Sequence, residues 1–206
     1  MKNYRSIPTC ATPVRVPQDL HVHTVFSTGD TAISPQQTMD TVARFRPAEV
    51  QGVSDHLDFL VDGAFELYRS EALARGFHVG VEVDGAGWID AAEQVEVEYY
   101  IMHCYDDAAS YRGAERLLAT GKPVIIAHPL VIGTDLSRVP GECLVEINNR
   151  YVWRGDWRSG YAPYLDRFEF VIGSDAHQPN WLNQNIARWV ALELGVEEKL
   201  LFDGRR

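Results

Sequence analysis

Short apolar runs ending in a polar residue recur along the chain, and a longer amphipathic segment follows most of them. The first run, roughly 14–22, carries Val14, Val16 and Leu20 and closes on His21-Val22-His23. Further strand-like runs are predicted at 49–54, 78–82, 95–102, 123–127, 143–147 and 168–172, rich in Val, Ile and Tyr. Between them lie helical patterns. Ser34-Pro35-Gln36-Gln37 reads as a helix start with Ser34 at the N-cap, Pro35 at the first helical position and Gln37 as the capping-box partner, the helix running to about Phe45. Other helices are expected over 64–75 (stopped by Gly76), 88–92, 108–119 (stopped by Gly121), 161–167 and 181–194 (closed by Gly195), with one more turn over 197–202. Residues 1–13, with Pro8 and Pro13, read as an N-terminal arm.

Strand, loop and helix repeated about seven times predict a parallel α/β sheet in one domain spanning 1–206. Polar candidates gather at the C-terminal ends of the strands: His21 and His23, His56, Glu82, His103, His128, Glu146, and Asp175 with His177. A barrel brings such ends onto one rim. An open doubly wound sheet would line them along a crevice, but no glycine-rich nucleotide loop is present and seven strand ends bearing candidate ligands fit a ring better, so a TIM-like α/β barrel is the expected fold.

Composition narrows the classes of function. A formal net charge of −10 speaks against a general nucleic-acid surface or an anionic-membrane surface. It does not speak against an anionic substrate, because divalent cations would reverse the local sign. The cysteines Cys10, Cys104 and Cys143 are odd in number and widely spaced, which suits a reducing compartment better than a disulfide framework. With no signal-peptide pattern and no apolar run of membrane-spanning length, a cytoplasmic location is expected by default.

Residues i and i+2 of a strand share a face, so His21 and His23 can present two imidazoles to one ion. Six of the seven histidines stand at strand ends beside Glu82 and Asp175. Imidazoles and carboxylates without thiolates suit zinc, manganese or iron, and a carboxylate such as Glu82 can bridge two cations. His78, at the entry of its strand, is expected to be structural, and Cys104 to pack. Ser54 and Asp55 either orient His56 or cap its loop. Glu146 either contacts substrate or holds ligand histidines. Arg150, Arg154 and Arg158 follow the sixth strand, where a guanidinium could clamp a phosphate; Arg150 and Arg154, with Glu146, are the substrate-binding candidates.

The motifs DLHVHT, GVSDH, GVE, IMHC, IAHP and GSDAH together resemble those of the PHP (polymerase and histidinol phosphatase) superfamily over about 19–178. That resemblance implies a distorted seven-stranded barrel of PHP type with two or three divalent ions at the strand ends. By it, His21, His23, Glu82 and Asp175 would hold one metal; Glu82, His103 and His128 a second; and His56 and His177 a third. One departure stands out. Thr28 and Gly29 occupy the place of a usual His or Asp, yet Asp30-Thr31-Ala32-Ile33-Ser34-Pro35 resembles the family's Asp-Gly-x-Leu-Thr-Pro, so a two-residue insertion makes Asp30 the missing ligand.

The expected activity is that of a hydrolase of phosphoric esters. Metal-activated hydroxide would attack phosphorus, Glu82, Asp175 and His128 would be the essential residues, and a small phosphorylated metabolite or nucleotide would be the substrate. The alternatives are metal-dependent hydrolysis at a carbon centre, as in amidohydrolases, and a non-catalytic PHP module that binds a partner.

Overall fold

Seven short strands, almost wholly buried, carry the architecture, and their near-continuous apolar sequences are what a sheet covered on both faces requires. The computed structural model describes residues 15–203. The strands are β1 (Val16–Asp19), β2 (Ala48–Val53), β3 (His78–Asp84), β4 (Tyr99–His103), β5 (Val124–Ile126), β6 (Leu144–Asn148) and β7 (Phe170–Gly173). All pair in parallel and in sequence order. Beyond the strand ends the sheet draws together. Val22 bridges Ala176, Asp175 N donates to His21 O at 2.8 Å, and His23 N donates to Ala176 O at 3.0 Å. The result is the expected nearly closed TIM-like (β/α)7 barrel.

Alternation along the strands makes two cores. Leu20, Val50, Tyr99, Ile101, Ile125, Ala127, Leu144 and Val171 form the smaller one, inside the barrel. Tyr99 is its largest member, and Gly52 and Gly80 give it room, since a Cβ at Gly52 would overlap the Tyr99 hydroxyl and one at Gly80 its ring. Its hydroxyl donates to Leu20 O (2.7 Å) and Val53 O (3.0 Å), tying the strand that leads to His21 to the centre. The opposite strand positions, among them Val79, Val81, Val83, Met102, Ile126 and Val145, pack with the helices in the larger core.

The helices are α1 (Met39–Phe45), α2 (Ala64–Ala74), α3 (Ile89–Ala92), α4 (Ala108–Ala119), α5 (Pro129–Ile132), α6 (Trp157–Tyr161) and α7 (Asn185–Leu194). Several differ from the sequence reading. Thr38, not Ser34, caps α1, with Thr38 Oγ1 accepting from Thr41 N. Residues 34–37 are instead fastened to the loop after β7: Ser34 N donates to His177 O, and the buried Gln37 carboxamide donates to Ala176 O. α7 begins at Asn185 rather than 181, and the helical segment expected at 161–167 lies earlier, in α6 and a 3-10 turn over Ala162–Tyr164.

The turn expected over 197–202 is absent. That segment is extended, Glu198 bridging Phe170 and Lys199 N donating to Phe170 O, because the edge of β7 offers it a backbone partner. β4 starts at Tyr99 rather than 95, and β1 ends at Asp19 before the chain turns toward the rim. The proposed arm at 1–13, Cys10 and Val14 lie outside the described residues. No described helix is long and apolar enough to cross a membrane.

Candidate metal centre

Glu82 is the hub of the rim. It lies on β3, is almost wholly buried, and faces five imidazoles. Its Oε1 is 2.7 Å from His103 Nε2, 3.1 Å from His21 Nε2 and 3.7 Å from His128 Nε2. Its Oε2 is 3.0 Å from His56 Nδ1 and 3.3 Å from His23 Nε2. Asp175 closes the other side, with Oδ1 3.1 Å from His177 Nδ1 and 3.7 Å from His23 Nε2, and Oδ2 4.0 Å from His128 Nε2. Asp30 Oδ2 lies 2.9 Å from His177 Nε2 and 3.6 Å from His56 Nε2, so the loop after β1 brings it to the cluster. All nine residues expected to ligate metal therefore meet at one end of the barrel.

The donor set has the form that a cation requires. His21 Nδ1 donates to Glu146 Oε1 (2.8 Å) and His103 Nδ1 to Asp84 Oδ1 (3.0 Å), which leaves the Nε2 lone pair of each ring turned inward. Nitrogen then faces nitrogen: His21 Nε2 is 3.1 Å from His23 Nε2, and His103 Nε2 is 3.1 Å from His128 Nε2. Glu82 Oε1 is buried and accepts no hydrogen bond although three imidazoles face it. Three overlapping groups have their ligand atoms close enough to hold an ion: His21, His23 and Glu82; Glu82, His103 and His128; and His23, His56 and His177.

Without metal, protons do part of the same work. Burial opposes charge on His56, but Glu82 and Asp30 prevail and push its pKa up to about 11. His103 is pushed to about 9 against burial by Glu82 and Asp84. The hydrogen bond with His56 is the main cause holding Asp30 down at about 2. For Glu82 burial raises the pKa, yet the surrounding histidines, His103 first, hold it well below the usual carboxylate range.

The backbone is bent to build this rim. His128 and Asp175 have left-handed backbones, with φ of 26° and 52°. Such positions cost about 1–3 kcal/mol each and persist only where the surroundings fix them. Glu146 Oε2 accepts from His128 N at 2.9 Å, and His21 O accepts from Asp175 N at 2.8 Å.

The residues around the ligands divide clearly. Glu146 is fully buried, and its carboxylate takes His21 Nδ1, His128 N and Asn148 Nδ2. All three of these bonds run to His21, His128 and Asn148, the arrangement expected of a group that holds ligand histidines. Gly173 makes room for it, since a Cβ there would overlap the carboxylate. Asp55 accepts from Thr24 N, Thr24 Oγ1, Ser27 N and Ser27 Oγ, so it shapes the loop after β1 rather than bonding His56.

The arginines fare differently. Arg150 Nη1 reaches the rim, 3.3 Å from Asp175 Oδ1 and 3.0 Å from His177 Nε2. Arg154 lies outside it, stacked over Tyr151 and Trp153, and Arg158 pairs with Glu193. His78 bonds Glu98 and stacks on Phe202 at 3.9 Å, a structural role, and Cys104 is buried in the outer core.

Sequence reasoning gave no role to Asp84, Tyr105, Asn148 or Tyr151. Tyr105 donates to Asp84 (2.6 Å), Asn148 donates to Asp175 Oδ2 (3.2 Å), and Tyr151 packs on His128 at 5.0 Å. Two of these carried a signal: Asp84 and Asn148 stand two residues after Glu82 and Glu146 on their strands, hence on the same face. No protein-family model matches the chain, and no curated protein is similar enough to count as a match. The motifs and this geometry therefore carry the functional argument alone.

Proposed function

We propose that the chain is a metal-dependent phosphoesterase of the PHP type. The observation that carries this reading is Glu82 within 3.7 Å of five imidazoles, inside a ring closed by Asp30, Asp175 and His177. His21, His23, Glu82 and Asp175 would hold one ion; Glu82, His103 and His128 a second; Asp30, His56 and His177 a third, with zinc, manganese or iron suited to these donors. Bound divalent ions supply an acidified water and charge neutralisation for an in-line displacement at phosphorus.

The chain's own groups prepare that chemistry. Glu146 and Asp84 fix the tautomers of His21 and His103, and Asn148 restrains Asp175. Arg150 places a planar, permanently charged fork at the edge of the ring, where it can take a phosphoryl oxygen. That placement suits a phosphate ester, which is already anionic in the ground state, better than an amide, which develops an oxyanion only during reaction.

Phosphate release from a panel of phosphoric esters, with added manganese or zinc, tests the reading. Metal-dependent release that disappears in Asp175→Ala and His128→Ala, with folding intact by circular dichroism, is the expected result. Release of an amine or carboxylate instead, from amide or ester substrates, would move the chemistry to a carbon centre. Undiminished activity in both variants would defeat the mechanism.

A further inference from the structure

Beside the ring, α7 and the loop after β6 enclose a pocket of about 330 Å3 lined by Asn149, Arg150, Trp153, Arg154, Trp181 and Ile186 among others. We propose that this pocket holds a planar aromatic group on the alcohol side of the ester, so that the substrate is an aromatic phosphate ester, a specificity that rests on the phosphoesterase reading. The volume is at the small end for a ligand site and suits one ring or two fused rings.

Arg150 and Trp181 join the pocket to the ring. Arg150 Nη1 lies against Asp175 and His177, while its Cζ is 5.1 Å from the Trp181 ring centre. Trp181 in turn is 6.3 Å from the His177 ring. Arg150 and Trp181 thus border both the pocket and the ligand cluster.

What the pocket offers is flat faces, indole and guanidinium, beside polar side chains. Trp153 is pinned by its Nε1 donating to Arg150 O at 2.9 Å, yet 59% of its surface is exposed. An indole held in one orientation while exposed is a ready-made stacking face. Arg154 forms no ion pair among the described residues and lies over the Tyr151 and Trp153 rings, which adds a guanidinium plane. The asparagines are already committed: Asn149 Oδ1 accepts from Ile186 N and Ala187 N, and Asn149 Nδ2 donates to Asn183 Oδ1. A ring can use the indole and guanidinium faces without needing the committed asparagines.

Benzyl phosphate and cyclohexylmethyl phosphate make the test, because both leave as primary alcohols of similar size and only one is aromatic. The metal-loaded protein is expected to favour the benzyl ester by about tenfold in kcat/KM, carried by KM. Trp153→Leu, which removes an exposed side chain and leaves no buried cavity, should bring the ratio close to one. Equal kcat/KM in the wild type, or an unchanged ratio in Trp153→Leu, overturns the proposal.

If neither ester is turned over, calorimetric binding of benzylphosphonate and cyclohexylmethylphosphonate gives the answer. Tighter binding of the aromatic phosphonate upholds the pocket, and equal binding, or none, overturns it; the phosphoesterase reading is decided separately by phosphate release from the wider panel.

Discussion

The two ends of the barrel are built from the same strands and both bury polar groups, yet they resolve them in opposite ways. At the N-terminal end, donors mostly meet acceptors, with His78 Nε2 and Glu198 Oε1 as buried exceptions. Gln18 Nε2 donates to Lys199 O, Leu201 N donates to Gln18 Oε1, and His78 bonds Glu98 under the Phe202 ring. At the C-terminal end, like meets like: imidazole nitrogens face each other at 3.1 Å, and a buried carboxylate oxygen has no donor. The lesson is that burial of a histidine says little by itself. A histidine whose partners complement it is structural, and a group of histidines whose lone pairs converge calls for a cation.

Four experiments break or sharpen that contrast. The largest effect is expected from Glu82→Ala, which removes the carboxylate shared by five imidazoles. Metal content by elemental analysis should fall and turnover should drop below detection. Wild-type metal content would mean that the hub is dispensable.

Next comes Tyr99→Ala, which empties the interior below the ring and should cost about 3–5 kcal/mol in urea unfolding. The protein's metal content should hold wherever it remains folded. A selective loss of metal at unchanged stability would show that the two ends are not separable.

The third experiment follows protons. The pKa values of His103 and His56 in the metal-free fold, about 9 and about 11, lie above the ordinary histidine value near 6.5. A pKa raised by folding means that the proton stabilises the fold. This contribution is complete below about pH 6.5 and is lost as pH rises through about 9 and then about 11. Metal must displace the same protons, so its affinity rises over that range while the metal-free melting temperature falls. Thermal melts from pH 6 to about 9.5, with and without zinc, should diverge; parallel curves would contradict the convergent-lone-pair account.

The smallest effect belongs to the opposite end. His78→Gln removes the ring stacked on Phe202 and should cost about 1 kcal/mol with metal affinity unchanged.

Much of the rim was legible because it obeys the period of a strand. His21 and His23 share a face by spacing alone, and the alternation that fills the interior with Tyr99, Ile101 and Ile125 also sets Glu82 and Glu146 at strand ends. What escaped depended on partners far along the chain. Nothing local tells Ser34 to bond His177 O rather than cap a helix, or residues 197–202 to lie along β7 rather than turn. The role of Glu146 was undecidable for the same reason, since its three donors come from His21, His128 and Asn148. Arg154 and Arg150 look alike in sequence, and only the stacking on Tyr151 and Trp153 separates them.

The seam between β1 and β7 has a consequence for the order of events during synthesis. His21 emerges from the ribosome early and Asp175 late, and each depends on the backbone of the other strand for its place. Until β7 arrives, a nascent chain can offer an ion only a part of the cluster. The places that Asp175 and His177 complete would thereby wait for the finished barrel, whereas Glu82, His103 and His128 all emerge before β7 and could meet a cation first.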